Sequence, residues 1–220
     1  MRDDKKPYSI IYEDDEIIIV YKKRDVLTLR TSDPKTFGRN LYHYLYLYLR
    51  EKNEKLFIVH RLDYETSGII IFAKTGKRKD ELQKAFARHE VVRDYEAVIA
   101  EHIPLHQSYH VEQYLYSNGK GGKVEVTADE KLGKKAVTDL ESMNYIQIGT
   151  AMKIQIQTGR RAQIRLAVNS LGFHLLGDRK YSLSEAKRMY LNEYHLSFPS
   201  SLNLKQNDFS VKPLWLTSEE

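Results

Sequence analysis

Residues 58–74 read Ile58-Val59-His60-Arg61-Leu62-Asp63-Tyr64-Glu65-Thr66-Ser67-Gly68-Ile69-Ile70-Ile71-Phe72-Ala73-Lys74, a polar loop set directly between two apolar runs. The second run, Gly68 to Lys74, has the length and continuous apolar character of a buried β-strand. A loop at the edge of a buried sheet is where a scaffold commonly displays working residues. The same residues also suit a plain turn in which Asp63 accepts backbone N–H bonds and Thr66-Ser67-Gly68 closes the loop. Local chemistry leaves both readings open.

Outward from this stretch, residues 8–22 alternate apolar, acidic (Glu13-Asp14-Asp15-Glu16) and apolar (Ile17-Ile18-Ile19-Val20) segments, the pattern of a β-hairpin. Phe37, Leu41, Tyr44, Leu45, Tyr48 and Leu49 fall at helical spacing and predict a helix over about 36–51, started by Ser32-Asp33-Pro34. Tyr42, Tyr44, Tyr46 and Tyr48 alternate at period two, but the segment exceeds a usual strand length. Leu82, Ala85, Phe86 and His89 mark an amphipathic helix over about 77–90. Extended stretches follow at 91–100, 110–117, 134–145 and 150–157, broken by the Gly-rich turn 117–122 and by Gly133. A short helix is expected at 161–170, and the tail from Ser197 reads as loop with one more strand. Strands outnumber helices and neither repeats nor a Pro- or Ser-rich linker appear, so the expected fold is α+β: one mixed domain over 1–220, with flanking helices around a largely antiparallel central sheet.

The 35 Lys and Arg against 30 Asp and Glu give net +5 and a pI near 9.1, which favours polyanionic partners. With no cysteine, disulfides, thiolate catalysis and Cys-ligated zinc are excluded. The charged start Met1-Arg2-Asp3-Asp4-Lys5-Lys6 leads into no signal-length apolar core, and the longest apolar runs are strand-sized, so a soluble cytoplasmic protein is expected.

His60-Arg61-Leu62-Asp63 with Thr66-Ser67-Gly68 and the strand after it resembles the signature loop of the RluA-type pseudouridine synthases. The resemblance continues in order along the chain. Val91-Val92-Arg93-Asp94-Tyr95-Glu96-Ala97 is similar to the family's strand with an active-site tyrosine, here Tyr95. Gly133-Lys134-Lys135-Ala136-Val137-Thr138 resembles its basic strand entry; Thr158-Gly159-Arg160 with Gln163-Ile164-Arg165 resembles its third motif, whose arginine is Arg165; Gly177-Asp178-Arg179-Lys180-Tyr181 resembles the Gly-Asp-Tyr stretch beyond. The chain departs from the pattern in four places. Tyr21-Lys22-Lys23-Arg24-Asp25 keeps only the lysine of an Asn-Lys-Pro-x-Gly stretch, Arg161-Ala162 stands for Thr-His, Asn192 for His, and Pro199-Ser200 for a His-Pro. An S4-like amino-terminal domain carried by some relatives is not expected here.

The resemblance implies that the protein isomerises specific uridines in structured ribosomal or transfer RNA to pseudouridine, without cofactor or metal. Asp63 is the implied catalytic carboxylate, with Tyr95 and Arg165 completing the catalytic set. A bidentate guanidinium from Arg165 would keep Asp63 charged, against the tendency of burial to neutralise it. Tyr95 would stack on uracil and relay a proton. Arg61, Thr66, Lys134 and Arg160 are the implied substrate contacts; Arg61 is equally readable as a solvated arginine. The expected partner is an RNA stem-loop, met by a monomer through a basic cleft. The alternative from another class is a diverged member without catalysis that serves as an RNA-binding or RNA-folding factor. The retention of Asp63, Tyr95 and Arg165 together argues against it.

Other signals rank lower. His60-Arg61-Leu62-Asp63 lacks the Gly-rich loop and Asp-Phe-Gly of a kinase. His102, His106 and His110 share a helical spacing that Pro104 would break, so solvent-facing loop histidines are expected rather than a metal site. Gly119-Lys120-Gly121-Gly122-Lys123 lacks the closing Ser or Thr of a P-loop and reads as a basic turn. Arg160-Arg161 and Lys77-Arg78-Lys79 are the charge clusters suited to RNA.

Overall fold

The computed structural model describes residues 6–117, 119, 122–184 and 186–216. Its strands are β1 (Tyr8–Glu13), β2 (Ile17–Lys22), β3 (Phe57–Ile58), β4 (Ser67–Ala73), β5 (Val92–Ile99), β6 (Ser108–Ser117), β7 (Val124–Thr127), β8 (Lys134–Ile146), β9 (Gly149–Ile156), β10 (Leu191–Ser197) and β11 (Asp208–Ser210). Three α-helices accompany them: α1 (Leu41–Arg50), α2 (Gly76–Ala87) and α3 (Gln163–Ser170). The fold is α+β, as the sequence predicts, and the chain divides into two compact units, residues 1–91 with 196–210 and residues 92–195 with 211–220.

The first unit is built on β2, which opens with the apolar run Ile17–Val20 and is flanked by β1 and β4, both antiparallel to it. The hairpin turn forms because Asp14 Oδ1 accepts the N–H groups of Glu16 and Ile17 at 2.8 Å, the local bonding that makes Asp a turn residue. Helix α1 starts at Asn40, whose side chain accepts the His43 N–H at 3.0 Å. Leu41, Leu45 and Leu49, four residues apart, bury against Ile18, Val20, Ile70 and Phe72. Burial of each such leucine contributes about 1.5–3 kcal/mol. The helix is shorter than predicted: residues 34–36 form a separate 3₁₀ turn and Gly38 takes φ 75°, which leaves Phe37 outside the helix and 53% exposed. The tyrosines flank the leucine face instead of forming it; Tyr42 donates to Leu56 O and Tyr48 to Glu13.

Helix α2 is capped by Thr75, which accepts the Arg78 N–H. Arg78 is buried and bonds Glu16, Glu81 and the Leu202 carbonyl. It therefore holds this unit together and is withdrawn from the cluster read as an RNA contact, while Lys77 stays exposed. The returning segment packs Phe198 and Phe209 against Phe86 and Tyr12.

In the second unit the strand order is β10-β5-β9-β8-β6-β7, and its ladders β5–β9, β9–β8, β8–β6 and β6–β7 are antiparallel. Helix α3 lays Leu166 against Leu115, Val124, Ala136 and Tyr181. It begins two residues later than predicted because Ala162 stands at φ 57°, a left-handed conformation that costs a non-glycine residue roughly 1 kcal/mol. Of the Gly-rich turn, Asn118, Lys120 and Gly121 lie outside the described residues. Strand β10 was not anticipated from the sequence, because Asn192 and Glu193, both fully buried, interrupt its apolar pattern. No helix among the described residues is long and apolar enough to cross a membrane.

Candidate active site

Asp63 sits half-buried in the loop between β3 and β4, and its neighbours on both sides are held through their backbones. On one side, the buried Thr28 hydroxyl donates to Leu62 O at 2.8 Å and accepts from Leu62 N at 3.2 Å. On the other, Val26 N–H donates to Tyr64 O at 3.2 Å. Beneath lies Lys22, fully buried at the end of β2, whose ammonium donates to the carbonyls of Val26 at 2.8 Å, Lys23 at 3.2 Å and Tyr64 at 3.2 Å. Its three N–H groups are thus matched by three backbone acceptors. Residues on both sides of Asp63 are thus pinned by their backbones.

Burial lowers the Lys22 pKa to about 7, against the opposing pull of Asp63 and Asp25. A lysine near neutrality under the aspartate makes local charge sensitive to pH. In the sequence this lysine stands out only as the remnant of a motif.

The neighbours of Asp63 divide by role. His60 accepts the Ile71 N–H at 3.2 Å and stacks on Phe86 at 4.7 Å, a structural task. Thr66 is 3% exposed and forms part of the loop's base, whereas Arg61 and Tyr64 face solvent. Nearby in the chain, Leu29, Arg30, Phe37, Asn40, Tyr42 and His43 line a hollow in which the Arg30 guanidinium lies 4.9 Å over the exposed Phe37 ring.

In the second unit Tyr95 is on β5, opposite Ile154 of β9, and 6% exposed. Arg165 projects from α3 and is also 6% exposed. Its Nε and Nη2 donate to Asp178, at 2.8 and 2.5 Å. Asp178 is fully buried and also accepts the N–H groups of Lys180 at 2.9 Å and Tyr181 at 3.1 Å. The guanidinium lies 4.8 Å over the Tyr181 ring. The Gly-Asp-Tyr stretch therefore orients the arginine, a role its mere presence in the sequence did not reveal.

The loop leading into α3 is organised by Gln163. Its Oε1 accepts from the Thr158 hydroxyl at 2.7 Å and Arg160 N–H at 3.0 Å, and its Nε2 donates to Val137 O at 2.8 Å and the Thr138 hydroxyl at 3.0 Å. Gly159 lets the loop approach Arg93 closely: a Cβ there would meet Arg93 Nη1 at 2.7 Å, so the guanidinium would have to shift. Arg160 donates from Nε to Lys135 O at 3.0 Å and, with Arg161 and Lys134, stays exposed to give this unit a basic edge. His102, His106 and His110 are not buried, and His110 lies in β6 bonded to Asp139 instead of in a loop. Among the described residues no cluster of His, Asp or Glu is arranged to hold a metal ion.

This α+β architecture is shared with solved structures of human RNA pseudouridylate synthase domain containing 4 (TM-score 0.72, 20% identity, 94% of this chain and 90% of that one) and domain containing 1 (0.68, 20%, 94% and 91%). Residues 16–170 match the family described as RNA pseudouridylate synthase, and the chain belongs to that family. Among curated relatives, ribosomal large subunit pseudouridine synthase D of Vibrio parahaemolyticus is 32% identical over 178 residues, which is 80% of this chain and 53% of the relative. The same-named protein of Escherichia coli is 32% identical over 176 residues, 80% and 52% respectively. The chain thus spans about half the length of these relatives.

Proposed function

We propose that this protein converts uridine to pseudouridine in structured RNA, with Asp63 as its catalytic carboxylate. The observation that carries the reading is the Asp63 loop: a half-buried carboxylate between residues held through their backbones by Thr28, Val26 and Lys22, in a chain that matches the family over residues 16–170. The names of the curated relatives favour ribosomal RNA as substrate over transfer RNA.

The reaction breaks the N-glycosidic bond of uridine, turns the uracil and rejoins it through a ring carbon, so it is redox-neutral and asks only for acid, base and nucleophile. Asp63 either attacks the sugar or starts an elimination from it. Arg165, oriented by Asp178, supplies a permanent positive charge for the anionic species on that path. Tyr95 offers a ring to stack on uracil and a hydroxyl to carry a proton. The target base must leave its stack to be reached, and the exposed Arg61 is suited to occupy the vacated space. Lys134 and Arg160 would contact phosphates and Thr66 the substrate from the base of the loop. The exposed Phe37 with Arg30 is a pairing on which unpaired bases stack. The same reading has the protein act as a cytoplasmic monomer on a compact stem-loop.

The test is to map pseudouridine in RNA incubated with the full chain and with Asp63→Ala. The variant is expected to melt at the wild-type temperature and to be slower by at least about 10³-fold, the scale on which loss of a nucleophile acts. Undiminished pseudouridine formation by Asp63→Ala would sink the assignment.

A further inference from the structure

Strand β10 carries a carboxylate to which the reaction scheme gives no task. Glu193 is fully buried, and neither of its oxygens has a hydrogen-bond partner of normal geometry among the described residues. Burying a carboxyl group without a well-formed hydrogen bond is costly, so its presence here calls for a reason. Its setting supplies one. β10 neighbours β5 in the second unit; Val98 N–H donates to Tyr190 O at 3.1 Å and Asn192 Nδ2 donates to Glu96 Oε1 at 2.8 Å. Those two contacts set an antiparallel register in which Glu193 falls opposite Tyr95. Residues so placed share one face of the sheet, with Cβ atoms about 4.5–5.5 Å apart.

The groups around Glu193 can be named. The Tyr95 hydroxyl and the Arg93 guanidinium both favour its ionised form, and Asp94 disfavours it. Asp94 is itself held by His195 at 2.8 Å and Gln155 at 2.9 Å.

We propose that Glu193 is a positioning residue that acts through Tyr95, its carboxylate receiving the tyrosine's proton when the isomerised uracil gives up the hydrogen on C5. The inference rests on the pseudouridine synthase reading. In the balanced step, the C5–H bond breaks and its electron pair returns to the ring; the proton goes to the Tyr95 oxygen as the Tyr95 O–H proton passes to Glu193. The ring nitrogen freed from the sugar takes one proton from solvent, and Glu193 later returns one to solvent, so nothing is gained or lost overall. Burial pushes the Glu193 pKa up to about 8, which makes it a base matched to mildly alkaline conditions.

The experiment follows tritium release from RNA carrying 5-tritiated uridine, in single turnover from pH 6 to 9. Wild type is expected to accelerate with pH and level off near 8. Glu193→Gln, nearly isosteric and unable to take a proton, is expected to lose that limb and to be about 10- to 100-fold slower at pH 8.5, with RNA affinity unchanged; Glu193→Asp should recover part of the rate. A Glu193→Gln profile that superimposes on wild type overturns the proposal. A second readout needs no RNA: the ring carbon bearing the Tyr95 hydroxyl, followed by NMR in the full chain, should shift with a midpoint near pH 8 in wild type and not in Glu193→Gln. Absence of that wild-type midpoint also overturns it. Should the wild type modify no RNA while the midpoint persists, the pseudouridine reading fails and the Tyr95–Glu193 coupling stands.

Discussion

Both units of this protein bury cations, and two of these, Lys22 and Arg165, are satisfied in opposite ways. Lys22 of the first unit is surrounded by backbone carbonyls, three dipoles that answer its three N–H groups but bring no counter-charge into direct contact. Arg165 of the second unit meets Asp178 edge to edge, a matched pair of full charges with both partners buried. An ammonium held by dipoles can lose its proton at modest cost; a guanidinium held by a carboxylate cannot. The first arrangement yields a site whose charge varies near neutral pH, and the second yields a fixed one.

The largest expected effect follows from removing the carboxylate of the matched pair. Asp178→Ala leaves Arg165 charged, buried and without its Asp178 counter-charge, and breaking such a pair by one side costs about 3–5 kcal/mol. Chemical denaturation should show a loss of that size. A loss under about 1 kcal/mol would mean that Arg165 finds water or another anion easily, and the contrast between fixed and variable charge would collapse.

A smaller effect is expected at the other cation. Lys22→Met keeps the length and apolar stem but leaves three carbonyls short of a donor, and a loss of about 2 kcal/mol is expected. The sign of its pH dependence is specific. In the fold Lys22 titrates at about 7, against 10.5 for an ordinary lysine. Between those values the unfolded chain holds the extra proton, so this group makes stability rise with pH over that window. Subtracting the Lys22→Met stability curve from that of wild type should reveal the rise. A flat difference from pH 7 to 10 would show that the ammonium is not desolvated.

Much of this contrast was hidden in the sequence for physical reasons. The strand β4 and the loop bearing Asp63 were legible, because a continuous apolar run entered from a cluster of polar residues fits a buried strand and no amphipathic helix. Helix α2 was found within a few residues at each end, since its periodicity is clear. Lys22 was not, because it opens the charged run Lys22-Lys23-Arg24-Asp25 and looks solvated. A signal did exist: at period two it shares a strand face with Ile18 and Val20, both in the core. Asp178 was noted as part of a motif, but nothing in its neighbours reveals that Arg165, thirteen residues earlier, is its partner. Glu193 escaped because a buried carboxylate breaks the alternation by which a strand is recognised, which also concealed β10.

The smallest effect on stability tests whether the loop's backbone anchors matter to the site above them. Thr28→Val preserves volume and β-branching, so it opens no cavity, and it removes only the two bonds between the hydroxyl and Leu62. A stability loss of about 1 kcal/mol is expected, the net worth of a typical hydrogen bond. The effect on the reaction should be larger than that figure suggests, because Leu62 adjoins Asp63 and a carboxylate displaced by about 1 Å from its attack position can slow a reaction by about 10²-fold. Turnover measured beside melting therefore separates two roles for the first unit. If Thr28→Val falls in stability and not in rate, the loop finds its catalytic shape only when RNA binds, and Lys22 with Thr28 serves the fold alone. If the rate falls by ten times or more while the melting temperature barely moves, the dipole-held loop is preorganised, and its variable charge lies where the chemistry occurs.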